Sequence, residues 1–275
     1  MPVRIKICGI TNLEDAEAAI AAGADALGFI LFEKSKRFIS IDDAIRIVDV
    51  LPPFVQTVAV TVNAVKEFTN LGWRKQLKNF NLAQLHGEES PQHVKAVSKY
   101  LPVIKVLPAE PKINLAANSI SVLEHAAASA SQVKSAQEEL GKELGREPSL
   151  DEVTEKIGLP RDPAHPVVQL MQEPHRNHEP RPADYDSLVS AFMLDTPSQE
   201  RGGTGRVFDW NLAVEFKLHI SKPLILSGGL NPENVAKAIK TVQPYAVDVA
   251  SGVEASPGRK DHAKLRDFIQ ICKSL

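Results

Sequence analysis

The stretch "RIKICGITNLEDAEAAIAAGADALGFILF", residues 4–32, decides the fold. Two apolar runs, 4–10 and 26–32, flank an alanine-rich segment with helix signals at both ends. Thr11 and Glu14 have the spacing of a capping box, and Gly23 stands where a helix C-terminus favours a left-handed residue. Strand, helix and strand in about thirty residues make one unit of a parallel sheet. The unit recurs. Strand-like runs follow at "QTVAVTV" (56–62), "LAQLHG" (82–87), "VIKVLPA" (103–109), "DSLVSAFMLDT" (186–196), "PLILSGG" (223–229) and "YAVDVASG" (245–252), which makes eight. Ser40 with Asp43 precedes a helix whose Ile41, Ala44, Ile45 and Val48 share a face. Ser90-Pro91 and Asn231-Pro232 each place a capping residue before a proline at the first helical position. Eight strand–helix units are the count of an α/β protein of the (β/α)8 TIM-barrel type. A doubly wound open sheet also alternates, but "GGTG" at 202–205 lacks the spacing of a dinucleotide fingerprint.

Composition narrows the function. With 275 residues the chain is long enough for one such barrel, 1–275, as a single domain. A net charge of −2 gives no basic footprint for nucleic acid or a membrane surface, so neither is expected as a partner. Two cysteines, Cys8 and Cys272, lie near opposite ends and form no metal spacing or disulfide framework, so a reducing, cytoplasmic setting is expected. The start "MPVRIKICGI" lacks a long apolar stretch, and no run long enough to span a bilayer follows.

One segment breaks the rhythm. Residues 110–184, between strands five and six, exceed what one helix and its loops require. They read as an insertion: a helical hairpin over about 131–160, with Gly145 ending one helix and Ser149 with Glu152 capping the next, then a loop-rich return over 161–184. It holds 13 acidic and 8 basic residues, so phosphate neutralisation is the wrong task for it. A tolerated surface excursion is the expected role, with an interaction arm as the alternative.

In a barrel, chemistry collects at the C-terminal ends of the strands. Gly228 and Gly229 end strand seven, and Ser251 and Gly252 end strand eight, where backbone N–H groups can approach a phosphate closely. Cys8 and Asp195 end strands one and six, and a thiol and a carboxyl facing one substrate can serve as general base and general acid. The thiol would then need a pKa below its free value, and the carboxyl a raised one. Arg37, on the loop after strand two, could grip a carboxylate with its fork. His86 could line the pocket or sit in the core, and Asp248, facing as Ala246 and Ala250 do, needs a partner or a site. Each has a plainer reading, namely a buried structural thiol, a turn cap or a solvated surface charge.

Taken in order, "KICGIT", "KSKRFIS", "AQLHG", "LDT", "GGTGRVFDW", "ILSGGLNPENV" and "DVASGVE" resemble the phosphoribosylanthranilate isomerases of tryptophan biosynthesis over 1–109 and about 185–275. The resemblance implies a (β/α)8 barrel that converts N-(5′-phosphoribosyl)anthranilate to 1-(2-carboxyphenylamino)-1-deoxyribulose 5-phosphate by an Amadori rearrangement, without metal or organic cofactor. It implies Asp195 as general acid, Cys8 as general base and Arg37 at the anthranilate carboxylate. Gly228, Gly229, Ser251 and Gly252 would hold the phosphate. "GGTG" (202–205), with Gly203 and Thr204, would be a mobile cover, and His86 and Asp248 would line the pocket. The small sugar phosphate is the implied partner, in a monomer or homodimer. The departure is 110–184, where the family has one short helix; "ELGREPSLDEVTEKIGLP" within it resembles a helical piece of bacterial sigma factors. Two alternatives remain at this point. One is the related aminoaldose isomerase of histidine biosynthesis, which uses two carboxylates; the other is a non-catalytic barrel whose insert is an interaction arm.

Overall fold

Eight parallel strands close on themselves in sequence order: β1 Arg4–Cys8, β2 Ala26–Ile30, β3 Gln56–Thr61, β4 Leu82–Leu85, β5 Val103–Pro108, β6 Ala191–Asp195, β7 Leu224–Leu226 and β8 Ala246–Val249. The computed structural model describes residues 2–64, 67–68, 70–109, 139–140, 142, 156, 181–196 and 207–275. Closure is made by β1, which pairs with β2 through Cys8 opposite Gly28 and with β8 through Lys6 opposite Asp248. The strands are shorter than the apolar runs suggest because the last residues of each run leave the ladder to form the loops of the upper face. The sixth differs most. It starts at Ala191 rather than Asp186, since Pro182–Tyr185 is a short helix and a turn precedes the strand.

The helices whose bounds lie among the described residues are, in chain order, α1 Leu13–Ala22, α2 Ile41–Val48, α3 Leu71–Leu77, α4 Pro91–Val97, α5 Pro182–Tyr185, α6 Trp210–Lys217, α7 Val235–Val242 and α8 His262–Lys273. Their ends follow local chemistry. Gly23 terminates α1 at φ 102°, as its position suggests, and Ser40 and Ser90 cap α2 and α4. The N-cap of α1, however, is Asn12 rather than Thr11, and no capping box forms. Asn12 accepts from the Asp15 N–H at 2.9 Å and donates to the Asp15 carboxylate at 2.7 Å, while the Thr11 hydroxyl turns to the Gly258 carbonyl. Asn231 does not start α7 directly. Its side chain accepts from Glu233 and Asn234, forming a turn before the helix begins at Val235.

Strand alternation divides the residues into an interior and a jacket. Cys8, Val58, Val60, Ile104, Val106, Met193 and Ile225 pack inside the barrel. Their neighbours Leu27, Phe29, Leu85, Phe192 and Leu226 face outward and are buried under the helices. There Phe192 meets Phe216 of α6 edge to face at 5.8 Å. The chain divides into two compact units, 1–113 with 180–275 and, separately, 114–179. In the second, the described residues Glu139, Leu140, Lys142 and Lys156 are helical, with Lys156 Nζ 3.4 Å from Glu139 Oε2. The rest of the expected hairpin and loop-rich return, up to residue 180, lies outside the described residues. Among the described residues, no helix is long and apolar enough to cross a membrane.

Candidate active site

The C-terminal strand ends surround a cavity of about 490 Å³. Cys8, Arg37, His86, Asp195, Gly228, Gly229, Asp248 and Ser251 all line it, so the sequence-derived candidates from six separated segments converge on one space. Gly252 does not line it. A Cβ there would collide with the Leu230 carbonyl oxygen, so its lack of a side chain lets the loops after β7 and β8 press together. Gly203 and Thr204 lie outside the described residues.

The Cys8 wall carries charge. Lys6, two residues before Cys8 and on the same interior face, donates to Asp248 Oδ1 at 2.7 Å, and the Ser227 hydroxyl donates to Asp248 Oδ2 at 3.2 Å. Lys6 and Asp248 are both buried. Gly28 makes room for them: a Cβ there would sit 2.9 Å from Cys8 Sγ and 3.0 Å from Lys6 Nζ. Burial pushes the Cys8 thiol above its ordinary range; Lys6 and Lys260 pull it down and Asp248 adds to the rise. The expectation of a depressed thiol pKa is therefore corrected, because desolvation outweighs the two ammonium groups. For Lys6, burial acts downward, but Asp248 and Cys8 outweigh it and hold the amine above the usual lysine range.

The Asp195 wall is built from hydrogen-bonding groups. Oδ1 accepts from the Thr196 N–H at 2.7 Å, and Oδ2 lies 3.3 Å from His86 Nε2. Gln84 Nε2 lies 3.3 Å from His86 Nδ1, behind the imidazole. The strand β7 can end beside this carboxyl because residue 228 is glycine, at φ 89°; a Cβ would stand 3.1 Å from Asp195 Oδ1 and 2.6 Å from the Thr196 nitrogen. Among the described residues, the N–H groups of Gly228 and Gly229 donate to no protein acceptor, which leaves two amides at the cavity wall.

Arg37 is not a solvated charge. It is buried, with Nε 2.8 Å from Glu254 Oε1 and Nη2 2.7 Å from Glu254 Oε2. Lys260 Nζ meets the same carboxylate at 3.0 Å and donates to the Cys8 carbonyl at 2.7 Å. Burial pushes Glu254 upward, but Arg37 and Lys260 together hold it below the usual carboxylate range.

A family profile for N-(5′phosphoribosyl)anthranilate (PRA) isomerase matches residues 5–135 and 152–271. The chain belongs to that family. It is 38% identical to the N-(5′-phosphoribosyl)anthranilate isomerase of Geobacter sp. (strain M21), over 99% of this chain and 98% of the relative. The crystal structure of phosphoribosyl anthranilate isomerase from Thermotoga maritima is 35% identical, with a TM-score of 0.67, over 99% of this chain and 100% of that one. A structure of phosphoribosyl anthranilate isomerase in complex with reduced 1-(o-carboxyphenylamino)-1-deoxyribulose 5-phosphate has 34% identity and a TM-score of 0.64, with the same coverage.

Against this family background, the residues that sequence reasoning missed are Lys6, Gln84, Glu254 and Lys260. Lys6 and Gln84 had a readable signal, since each sits two residues before a named candidate on the same strand face. Glu254 and Lys260 had none, because Glu254 meets Arg37 across 217 residues of sequence.

Proposed function

We propose that the chain converts N-(5′-phosphoribosyl)anthranilate to 1-(2-carboxyphenylamino)-1-deoxyribulose 5-phosphate, with Asp195 as acid and Cys8 as base. The single observation that carries this reading is that thiol and carboxyl open into one cavity. Gly228, Gly229 and Ser251 hold the phosphate through backbone amides, an arrangement supported by the two undonated N–H groups. Arg37 receives the anthranilate carboxylate.

The protons balance as follows. Asp195 Oδ1 is committed to the Thr196 N–H, so the transferable proton sits on Oδ2 and passes to the furanose ring oxygen. The ring C–O bond breaks while the anilino nitrogen lone pair forms an iminium. The Cys8 thiolate then removes the proton from the sugar C2, and that electron pair makes the carbon–carbon double bond of an enolamine. Loss of the C2 hydroxyl proton and protonation of C1 give the ketone. The net change is a relocation of protons, which an acid and a base suffice to perform. A thiol with a raised pKa is ionised less often, but its anion is the stronger base. Lys6 beside it stabilises that anion when it forms.

The aminoaldose isomerase of histidine biosynthesis, with its carboxylate pair, fits less well, because a thiol occupies the end of β1. The test is to incubate the purified protein separately with each of the two substrates. Turnover of the phosphoribosylanthranilate is expected, and no conversion of it would reject the reading.

A further inference from the structure

Glu254 lies on the short strand Glu254–Ser256, just past the turn Ser251–Val253, and does not line the cavity. It is nevertheless the hub of a buried charge cluster. Oε1 accepts from Arg37 Nε at 2.8 Å and from Lys260 Nζ at 3.0 Å; Oε2 accepts from Arg37 Nε at 3.0 Å and Nη2 at 2.7 Å. Lys260 Nζ also donates to the Cys8 and Ala250 carbonyls, at 2.7 and 3.2 Å. The backbone is shaped for this. Gly9, at φ 76°, lets the Arg37 chain cross it, where a Cβ would stand 2.7 Å from Arg37 Cδ.

Two features of the cluster point to a ligand. Arg37 has spent its Nε/Nη2 edge on Glu254, so the Nη1/Nη2 edge is the one left for a second carboxylate, in the bidentate geometry a guanidinium favours. Arg37 is also a buried cation lining the cavity, and a bound anion relieves part of the cost of holding its remaining edge out of water.

We propose that Glu254 is the positioning residue of carboxylate recognition: it holds Arg37 by one edge so that the other edge receives the carboxylate of the substrate. This rests on the reading of phosphoribosylanthranilate as substrate, and it assigns to Glu254 a share in selecting aminobenzoate sugars over sugars without an ortho carboxylate.

The experiment measures kcat and KM for phosphoribosylanthranilate in the wild-type protein and in Glu254→Gln, Glu254→Asp and Arg37→Met. With Glu254→Gln, KM should rise about tenfold or more while kcat stays within about threefold, as befits loss of an oriented charge-assisted contact rather than of an acid or base. Glu254→Asp keeps the charge but is one methylene too short to reach both cations, and a smaller rise in KM is expected. If Glu254→Gln fails to fold, Glu254→Asp carries the test. A melting temperature that falls while KM stays at the wild-type value would assign Glu254 a purely structural role and overturn the proposal. A rise in KM for Arg37→Met with wild-type KM in both Glu254 variants would overturn it too, with the function intact. No turnover by the wild type would remove the substrate reading and this proposal together.

Discussion

The two walls of the cavity are made of different materials. Around Cys8 stand full charges: Lys6 with Asp248 at 2.7 Å, and Lys260 held against Glu254 and the Cys8 carbonyl. Around Asp195 stand a backbone N–H, an imidazole and, behind it, a carboxamide. The Cys8 thiol is 5% exposed, and the neighbouring ammonium groups offset part of what burial costs its anion. The Thr196 N–H and the His86 imidazole fix how the Asp195 carboxyl is oriented. In the proposed reaction the charged wall serves the base and the hydrogen-bonding wall serves the acid.

The comparison breaks first at the aspartate wall. Asp195→Asn removes the transferable proton and keeps the shape, so kcat should fall by at least about a hundredfold with KM changed little. Steady-state kinetics check it, and an active asparagine variant would strip the carboxyl of its role. At the cysteine wall, Lys6→Met should leave Asp248 buried and unpaired and cost about 3–5 kcal/mol. Arg4→Ala, which removes a half-exposed partner of Asp25, should cost less than about 1 kcal/mol. Denaturant melts of the two variants would measure that contrast directly. Gly28→Ala places a methyl between Cys8 Sγ and Lys6 Nζ, and overpacking of about 1–3 kcal/mol should accompany a drop in kcat.

Smaller effects follow from pH. Glu254 and Asp15 both have folded-state pKa values below the usual carboxylate range. Their stabilisation is present above that range and is lost as pH falls through the folded values. Cys8 is raised, and burial pushes Cys272 and Tyr185 up to about 12. Their contribution is complete below the unfolded values and is lost as pH rises past them, from about 8.5 upward for the thiols. Melting temperature against pH should therefore show a plateau between an acid edge and an alkaline edge.

The barrel and most of the cavity were legible in the sequence because they rest on short-range rules. Alternation placed Asp248 with Ala246 and Ala250 on the inner face, and the glycines after β7 fell where an anion site is built. What escaped was of three kinds. Lys6 lies in an apolar run, "RIKIC", where a lysine reads as a solvated edge residue, yet the closed barrel turns it inward to Asp248 on β8. The depressed thiol pKa failed because the depth of burial around Cys8 depends on the whole barrel and not on local spacing. Glu254 and Lys260 stand on a two-stranded excursion after β8, and only the tertiary fold brings them to Arg37.

The central claim is that the sulfur at the end of β1 takes the sugar proton. The most direct measurement is the turnover of phosphoribosylanthranilate by Cys8→Ala beside the wild type. A fall in kcat of at least about a hundredfold, with KM within a few fold, is the outcome required of a positioned base. Turnover by the alanine variant within about threefold of the wild type would contradict it.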